Sequence, residues 1–148
     1  FLRSKDANGA CGGYWEFCQE MGCEWEGLLN SNPEKFDTAA ILELPDFLQE
    51  EGYSNIASGV EVPLDYGKPL PDGYKIAELP ECTMLYFQSE PYENPDDFGI
   101  YIGQVYKALE NYNFERYSYK LATNIAPTFN FGAQTDVGAR IAVPVIRI

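Results

Sequence analysis

The chain has 148 residues and is 45% hydrophobic and 15% aromatic, which suits a single globular domain with a substantial core. Its 23 acidic and 10 basic residues give a net charge of −13, which repels phosphate backbones and argues against direct nucleic-acid binding. Histidine is absent, which excludes a Ser-His-Asp triad and a histidine-based zinc site.

The cysteines and apolar runs predict a cytoplasmic location. The four cysteines have no CxxC spacing, and nothing resembles a signal peptide, so we expect reduced thiols. No metal site and no cofactor are expected from these residues. The longest apolar runs are far too short to span a bilayer, so we expect a soluble chain without a membrane partner.

The first half of the chain predicts one helix and two strands. Apolar residues follow helical spacing from Tyr14 to Leu29, although Gly22 and Gly27 weaken the helix. The predicted strands are residues 39–44 and 55–64. A loop dense in turn residues, 65–73, then joins the two halves.

The second half predicts four strands around a second helix. Pro95 and two acidic residues start this helix, because a proline and negative charge both suit a first turn. Its apolar stripe is Phe98, Ile102, Val105, Leu109 and Tyr112. The predicted strands are residues 74–78, 82–89, 127–131 and 140–146. This order predicts an α+β fold with one antiparallel sheet and two helices on one face.

An internal repeat is predicted at an offset of 81 residues, which relates Pro63 to Pro144. The segment 59–63 then matches the segment 138–145, and each of the two strands is predicted to close on Val-Pro. The same offset aligns the two helices, with Trp25 opposite Tyr106. These matches predict a tandem duplication of a strand-helix-strand-strand module, with pseudo-repeats over about 1–66 and 74–148. The seam between two such copies is a natural place for a pocket.

Five segments taken in order resemble one family. They are residues 13–18, 25–29, 57–65, 79–88 and 138–145. Together they look like the GyrI-like small-molecule-binding domain, which is also the effector-binding domain of AraC-type transcription regulators. The resemblance covers almost the whole chain, residues 1–148, as one domain.

The resemblance implies a sensory domain of a bacterial transcription regulator. Such a domain binds a small, partly apolar or aromatic effector, cations included, in a cleft between its repeats, as multidrug-binding regulators do, and it is not an enzyme. Any DNA contact would be made through a helix-turn-helix domain that is not present in this chain. The sequence leaves a homodimer open.

Two features depart from the family pattern. Only residues 1–4 stand before the polar, glycine-bearing segment, so the first strand of the first module is expected to be missing or reduced. Arg140 stands where the family often carries a glutamate, four residues before the final Pro-Val. The family's anionic anchor therefore does not transfer, and the charge of the ligand stays open.

Eight residues are predicted ligand contacts on the helix-facing side of the sheet or the inner helix edges. They are Trp15, Glu43, Glu61, Tyr86, Tyr101, Tyr106, Phe129 and Phe131. The aromatic rings suit flat ligands through stacking and cation–π contacts, and a carboxylate among small strand residues leaves space for a cation. The alternative for each ring is ordinary core packing, and for each glutamate a solvent-facing position.

Two other functions remain open at this stage. Some GyrI-like proteins hydrolyse strained electrophiles, and Glu61 with Tyr86 or Tyr101 would then act as general base and acid. The family's name-giver inhibits a topoisomerase, and an acidic surface such as the run from Glu90 to Asp97 would serve a protein-binding role of that kind.

Overall fold

The computed structural model describes residues 1–5, 17–20, 22–132 and 136–148. It has an α+β fold built on one antiparallel seven-stranded sheet. The strands are β1 (Leu2–Arg3), β2 (Ala40–Glu43), β3 (Ile56–Gly59), β4 (Thr83–Gln88), β5 (Tyr119–Leu121), β6 (Thr128–Asn130) and β7 (Arg140–Arg147). The helices with described bounds are α1 (Glu24–Asn30) and α2 (Phe98–Asn111), and residues 17–20 are helical as well.

The strand order is β1-β3-β2-β6-β7-β4, and β5 pairs with the far end of β7. In each half the last strand lies between two earlier ones, as β1-β3-β2 in the first half and β4-β7-β6 in the second, where β5 is a fourth strand. The halves meet where β2 pairs with β6, with Leu42 opposite Phe129. This symmetric order suits the predicted duplication, which itself stays a prediction.

The prediction that each matching strand closes on Val-Pro is wrong. Strand β3 ends at Gly59, so Val62 and Pro63 lie beyond it, whereas Pro144 lies inside β7. The reason is that β2 begins at Ala40, which pairs with Gly59, so later residues have no strand residue of β2 opposite them.

Other strand predictions also need correction. Residues 74–78 form no strand, because the Tyr74 amide closes a turn by donating to the Pro71 carbonyl. The first strand, expected to be missing or reduced, is present in reduced form as the two-residue β1, paired with β3, and here no correction is needed. Strand β5 was not predicted. The predicted helix is interrupted before α1, where Gly22 adopts a φ of 81°.

Pro144 lies in an inner strand and removes one ladder hydrogen bond from the sheet. Its carbonyl accepts from the Ala122 amide, on the side of β7 away from β4. On that side β6 pairs only as far as Ala142, and β5 ends at Leu121, opposite Val145. Pro144 has no N–H to donate in return to the Ala122 carbonyl, which accepts from the Ile125 amide instead, so this carbonyl is not left unpaired.

Both helices pack on the same face of the sheet. Trp25 and Leu29 of α1 cluster with Ile41, and Ile102 and Val105 of α2 cluster with Ile141 and Val143. Ile41 and Ile141 both lie opposite Asn130, so their side chains share one face. The opposite face carries a separate apolar cluster, formed around Leu42, Ala57, Ala142, Phe129 and Phe131.

Candidate functional site

A cavity of about 90 Å³ lies at the seam between the halves, on the sheet face away from the helices. Small residues in neighbouring strands make the space, since Ala40 of β2 is paired with Gly59 of β3. Gly59 is tightly fitted, because a Cβ there would lie 2.6 Å from Cδ1 of the buried Leu42. The expectation of a groove on the helix-facing side is therefore wrong for this cavity, since the helices fill that side with core residues.

Three aromatic rings line one side of the cavity. Tyr86 of β4 stacks on Phe131 with ring centroids 5.8 Å apart, and Phe131 stacks on Phe129 of β6 at 5.7 Å. Phe131 is buried, whereas Tyr86 keeps 53% of its surface exposed. The aromatic surface therefore runs continuously from inside the cavity to solvent.

A charge pair joins the cavity wall to the start of β7. Arg140 donates two hydrogen bonds of 2.9 Å to the two carboxylate oxygens of Asp37, and its guanidinium lies 4.4 Å from the Phe131 ring centroid. This bidentate contact holds the pKa of Asp37 below its ordinary value of 3.8. The cation and the anion largely neutralise one another, so Arg140 does not make the site basic.

Glu61 lies at the edge of the cavity, and among the described residues no hydrogen bond or ion pair to its carboxylate is found. The residue is exposed on its outer side. Partial burial of the carboxylate, followed by the nearby charge of Asp37, raises its pKa above the ordinary 4.5. The site therefore carries one uncompensated negative charge beside an aromatic surface.

Two further polar groups bear on the cavity. The Thr38 Oγ1 atom is buried and has no hydrogen-bond partner in the part of the chain that the structure describes. The pKa of the Tyr86 hydroxyl is raised above 10.0, first by burial and then by the negative charges of Asp37 and Glu61. Tyr86 therefore stays protonated near neutral pH and can donate a hydrogen bond.

The structure brings four of the eight predicted residues together: Glu61, Tyr86, Phe129 and Phe131 all line this cavity. Whether they contact a ligand stays a prediction. Trp15 lies outside the described residues.

The other three predicted residues lie elsewhere. Glu43 is exposed at the end of β2 and points to the helix side, since it alternates with Leu42. Tyr101 stacks on Tyr92 at 4.4 Å, and Tyr106 packs in the cluster beneath α2. The sequence prediction that these residues line the same groove is therefore wrong.

Sequence reasoning missed Asp37 as part of the site. Its partner Arg140 was noted only as a departure from the family pattern, and the two residues are separated by 103 positions. No local pattern marks such a pair. Asp37 follows a turn and precedes β2, so its sequence neighbourhood is that of an ordinary loop residue.

No cluster of three or more histidine, cysteine, aspartate or glutamate side chains suited to a metal ion occurs in the described ranges. In the same ranges, no helix has the length and apolar character needed to cross a membrane. No family model, curated protein or solved structure matches the chain.

Proposed function

We propose that this chain is a non-catalytic binding module for a small organic cation with an apolar or aromatic body. The observation that carries the proposal is the lone carboxylate of Glu61 at the mouth of an aromatic cavity. Desolvating a charge is costly unless a counter-charge meets it, so a bound cation would stabilise this glutamate. The role of sensory domain in a transcription regulator, which the family resemblance implies, is part of the same proposal.

The cavity dimensions define which part of the ligand enters. A volume of about 90 Å³ is below the 300–1,000 Å³ typical of small-molecule sites, so the cavity takes in only part of a ligand, its ammonium group. The rest of the ligand then lies on the exposed ring of Tyr86, and a cation beside an aromatic face gains cation–π stabilisation. Phe36, exposed at the rim, offers a second ring.

Calorimetric titration with benzyltrimethylammonium tests this proposal, with benzyl alcohol and benzoate as uncharged and anionic references. The cation is expected to bind more tightly than both references. Glu61→Gln is expected to weaken the binding of the cation about fivefold or more. Glu43→Gln is the matched control, because it removes the same charge from an exposed position on the other face. Equal binding of the three compounds, or equal effects of the two substitutions, would refute the proposal.

Hydrolysis of a strained electrophile is the second candidate, favoured by Glu61 and Tyr86 lining the same cavity. With an epoxide, Glu61 would take a proton from the attacking water while Tyr86 gives one to the opening oxygen, and the product is a diol. The assay is diol formation from styrene oxide. Turnover that disappears in both Glu61→Gln and Tyr86→Phe would favour the enzyme over the binding module.

A further inference from the structure

A second and larger cavity, of about 360 Å³, is lined by residues between Phe1 and Ile76. It opens between the end of α1 and the loop of residues 60–76, hereafter the cavity loop. Its volume falls in the range of small-molecule sites and is more than twice that of a benzene-sized cavity. It therefore has room for a two-ring molecule.

The cavity loop is held in place by hydrogen bonds. The Tyr66 hydroxyl accepts from the Asn32 side-chain amide at 3.1 Å, which ties the loop to the end of α1. The Lys75 amide donates to the Phe1 carbonyl at 2.9 Å, which ties the other end to the edge of the sheet. Pro69 and Pro71 between these ties restrict the backbone. The cavity is therefore preformed, which lowers the entropy cost of ligand binding.

The lining is apolar inside and positively charged at the rim. Leu29, Val62 and Tyr74 form the inner wall. Among the lining residues that the structure describes, Lys68 and Lys75 carry charged side chains, both are exposed, and none is an aspartate or glutamate. This contrasts with the chain as a whole, whose net charge is −13. An anionic group at the rim would thus meet two positive charges on a surface that is acidic overall.

The two lysines are not committed to strong partners. Lys68 lies 3.7 Å from Glu34 and Lys75 lies 3.1 Å from Glu50, and all four side chains are at least two-fifths exposed. Ion pairs this exposed contribute little to stability, so a ligand anion can replace either glutamate at small cost.

We propose that this cavity is a second binding site, which takes a small aromatic molecule carrying one acidic group. The aromatic body would occupy the apolar interior, and the acidic group would lie at the rim between the lysines. This site differs from the smaller cavity in its contact with α1, through Leu28 and Leu29, and in the sign of charge it accepts. It does not depend on the proposed cation site.

Fluorescence titration with anilinonaphthalene sulfonate, an aromatic anion that brightens in apolar surroundings, tests this proposal on the full chain. Saturable binding at one site per chain is expected. Leu70→Glu places a carboxylate at the rim and should weaken binding about fivefold, while Lys68→Gln should weaken it about threefold.

Each substitution has a matched control outside the cavity. Leu121→Glu changes a leucine of similar exposure, 43% against 40% for Leu70, and Lys120→Gln removes the same charge as Lys68→Gln. Both controls should leave the dissociation constant within about twofold of the wild type. Equal weakening by a cavity variant and its control, or binding without saturation, would overturn the proposal. The exposed positions leave the core intact, and circular dichroism checks folding of every variant.

Discussion

Asp37, Arg140 and Glu61 form a small charge system in which one negative charge is left over. The bidentate contact pairs Asp37 with Arg140, and the nearest charge that acts on Glu61 is the Asp37 carboxylate. The net charge of the site therefore depends on two residues, Asp37 and Arg140, that need not contact the ligand. Changing one member of the pair should alter cation affinity in a direction set by its charge.

Asp37→Asn and Arg140→Gln are expected to have opposite effects on cation binding. Asp37→Asn leaves the positive charge of Arg140 unpaired near Glu61, so it should weaken the binding of benzyltrimethylammonium several-fold. Arg140→Gln leaves two carboxylates without a cation, so it should strengthen the binding of benzyltrimethylammonium several-fold. Calorimetry measures both dissociation constants. A change in the same direction for the two variants would contradict this charge balance, and urea unfolding of each variant separates binding from a loss of fold.

The pH dependence of cation binding should reveal the raised pKa of Glu61. Binding needs the ionised carboxylate, so affinity should fall as the pH decreases through this pKa, which lies above the ordinary 4.5. The neighbouring titratable groups do not interfere in this range. The pKa of Asp37 is lowered, those of Tyr86 and Cys82 are raised, and Arg140 stays charged.

Titrations with benzyltrimethylammonium between about pH 4 and pH 8 measure this effect. Glu61→Gln is expected to bind weakly at every pH in this range. A midpoint below the ordinary glutamate value, or an unchanged pH profile in Glu61→Gln, would show that another group controls binding.

At the scale of secondary-structure elements, Gly138 allows β7 to begin beside the end of β4. Its φ is 105°, and a Cβ there would lie 2.4 Å from the Ser89 carbonyl oxygen. Next to it, Ala139 and Ser89 are joined by two hydrogen bonds of 2.9 Å, which hold the backbones together. The clash is with backbone, so no side-chain movement relieves it.

Gly138→Ala is therefore expected to destabilise the protein by about 2–4 kcal/mol. Gly103→Ala is the matched control, because Gly103 lies on the exposed side of α2 with open space around its Cα. Alanine there should stabilise by about 0.5–1 kcal/mol, since glycine lowers helix stability. Urea unfolding monitored by tryptophan fluorescence gives both values, and equal effects of the two substitutions would contradict the close approach at Ser89.

At the scale of the whole molecule, the two cavities share a wall. Val60 lines both, Glu61 lines the smaller one and Val62 lines the larger one. The Glu61 carbonyl accepts a hydrogen bond of 3.0 Å from the amide of Phe36, which also lines the smaller cavity. A ligand that binds in one cavity and shifts residues 60–62 therefore changes the shape of the other cavity.

Saturating anilinonaphthalene sulfonate is accordingly expected to change the dissociation constant of benzyltrimethylammonium by about twofold or more. By thermodynamic linkage, the cation should change the affinity for the anion by the same factor. Calorimetric titration of each probe with the other present measures both factors. Unchanged constants would show that the cavities act independently, even where each probe binds on its own.

The fold class followed from local patterns, because periodicity and turn chemistry are properties of neighbouring residues. The stripe of Phe98, Ile102 and Val105 predicted α2, and the structure confirms both this helix and the antiparallel sheet. Strand ends were less predictable, since β3 stops at Gly59 only because β2 begins opposite it. The length of a strand depends on its partner, which lies elsewhere in the chain.

The candidate site shows the same division. Residue type and alternation selected Glu61, Tyr86, Phe129 and Phe131, because rings and an acid among small strand residues are visible in the sequence. The same reasoning also selected Glu43, Tyr101 and Tyr106, which do not line this cavity. The pairing of Asp37 with Arg140, the face on which the cavity opens and the second cavity under the turn-rich loop all arose from tertiary structure. These features join residues far apart in the chain, and their geometry exists only after the sheet has assembled.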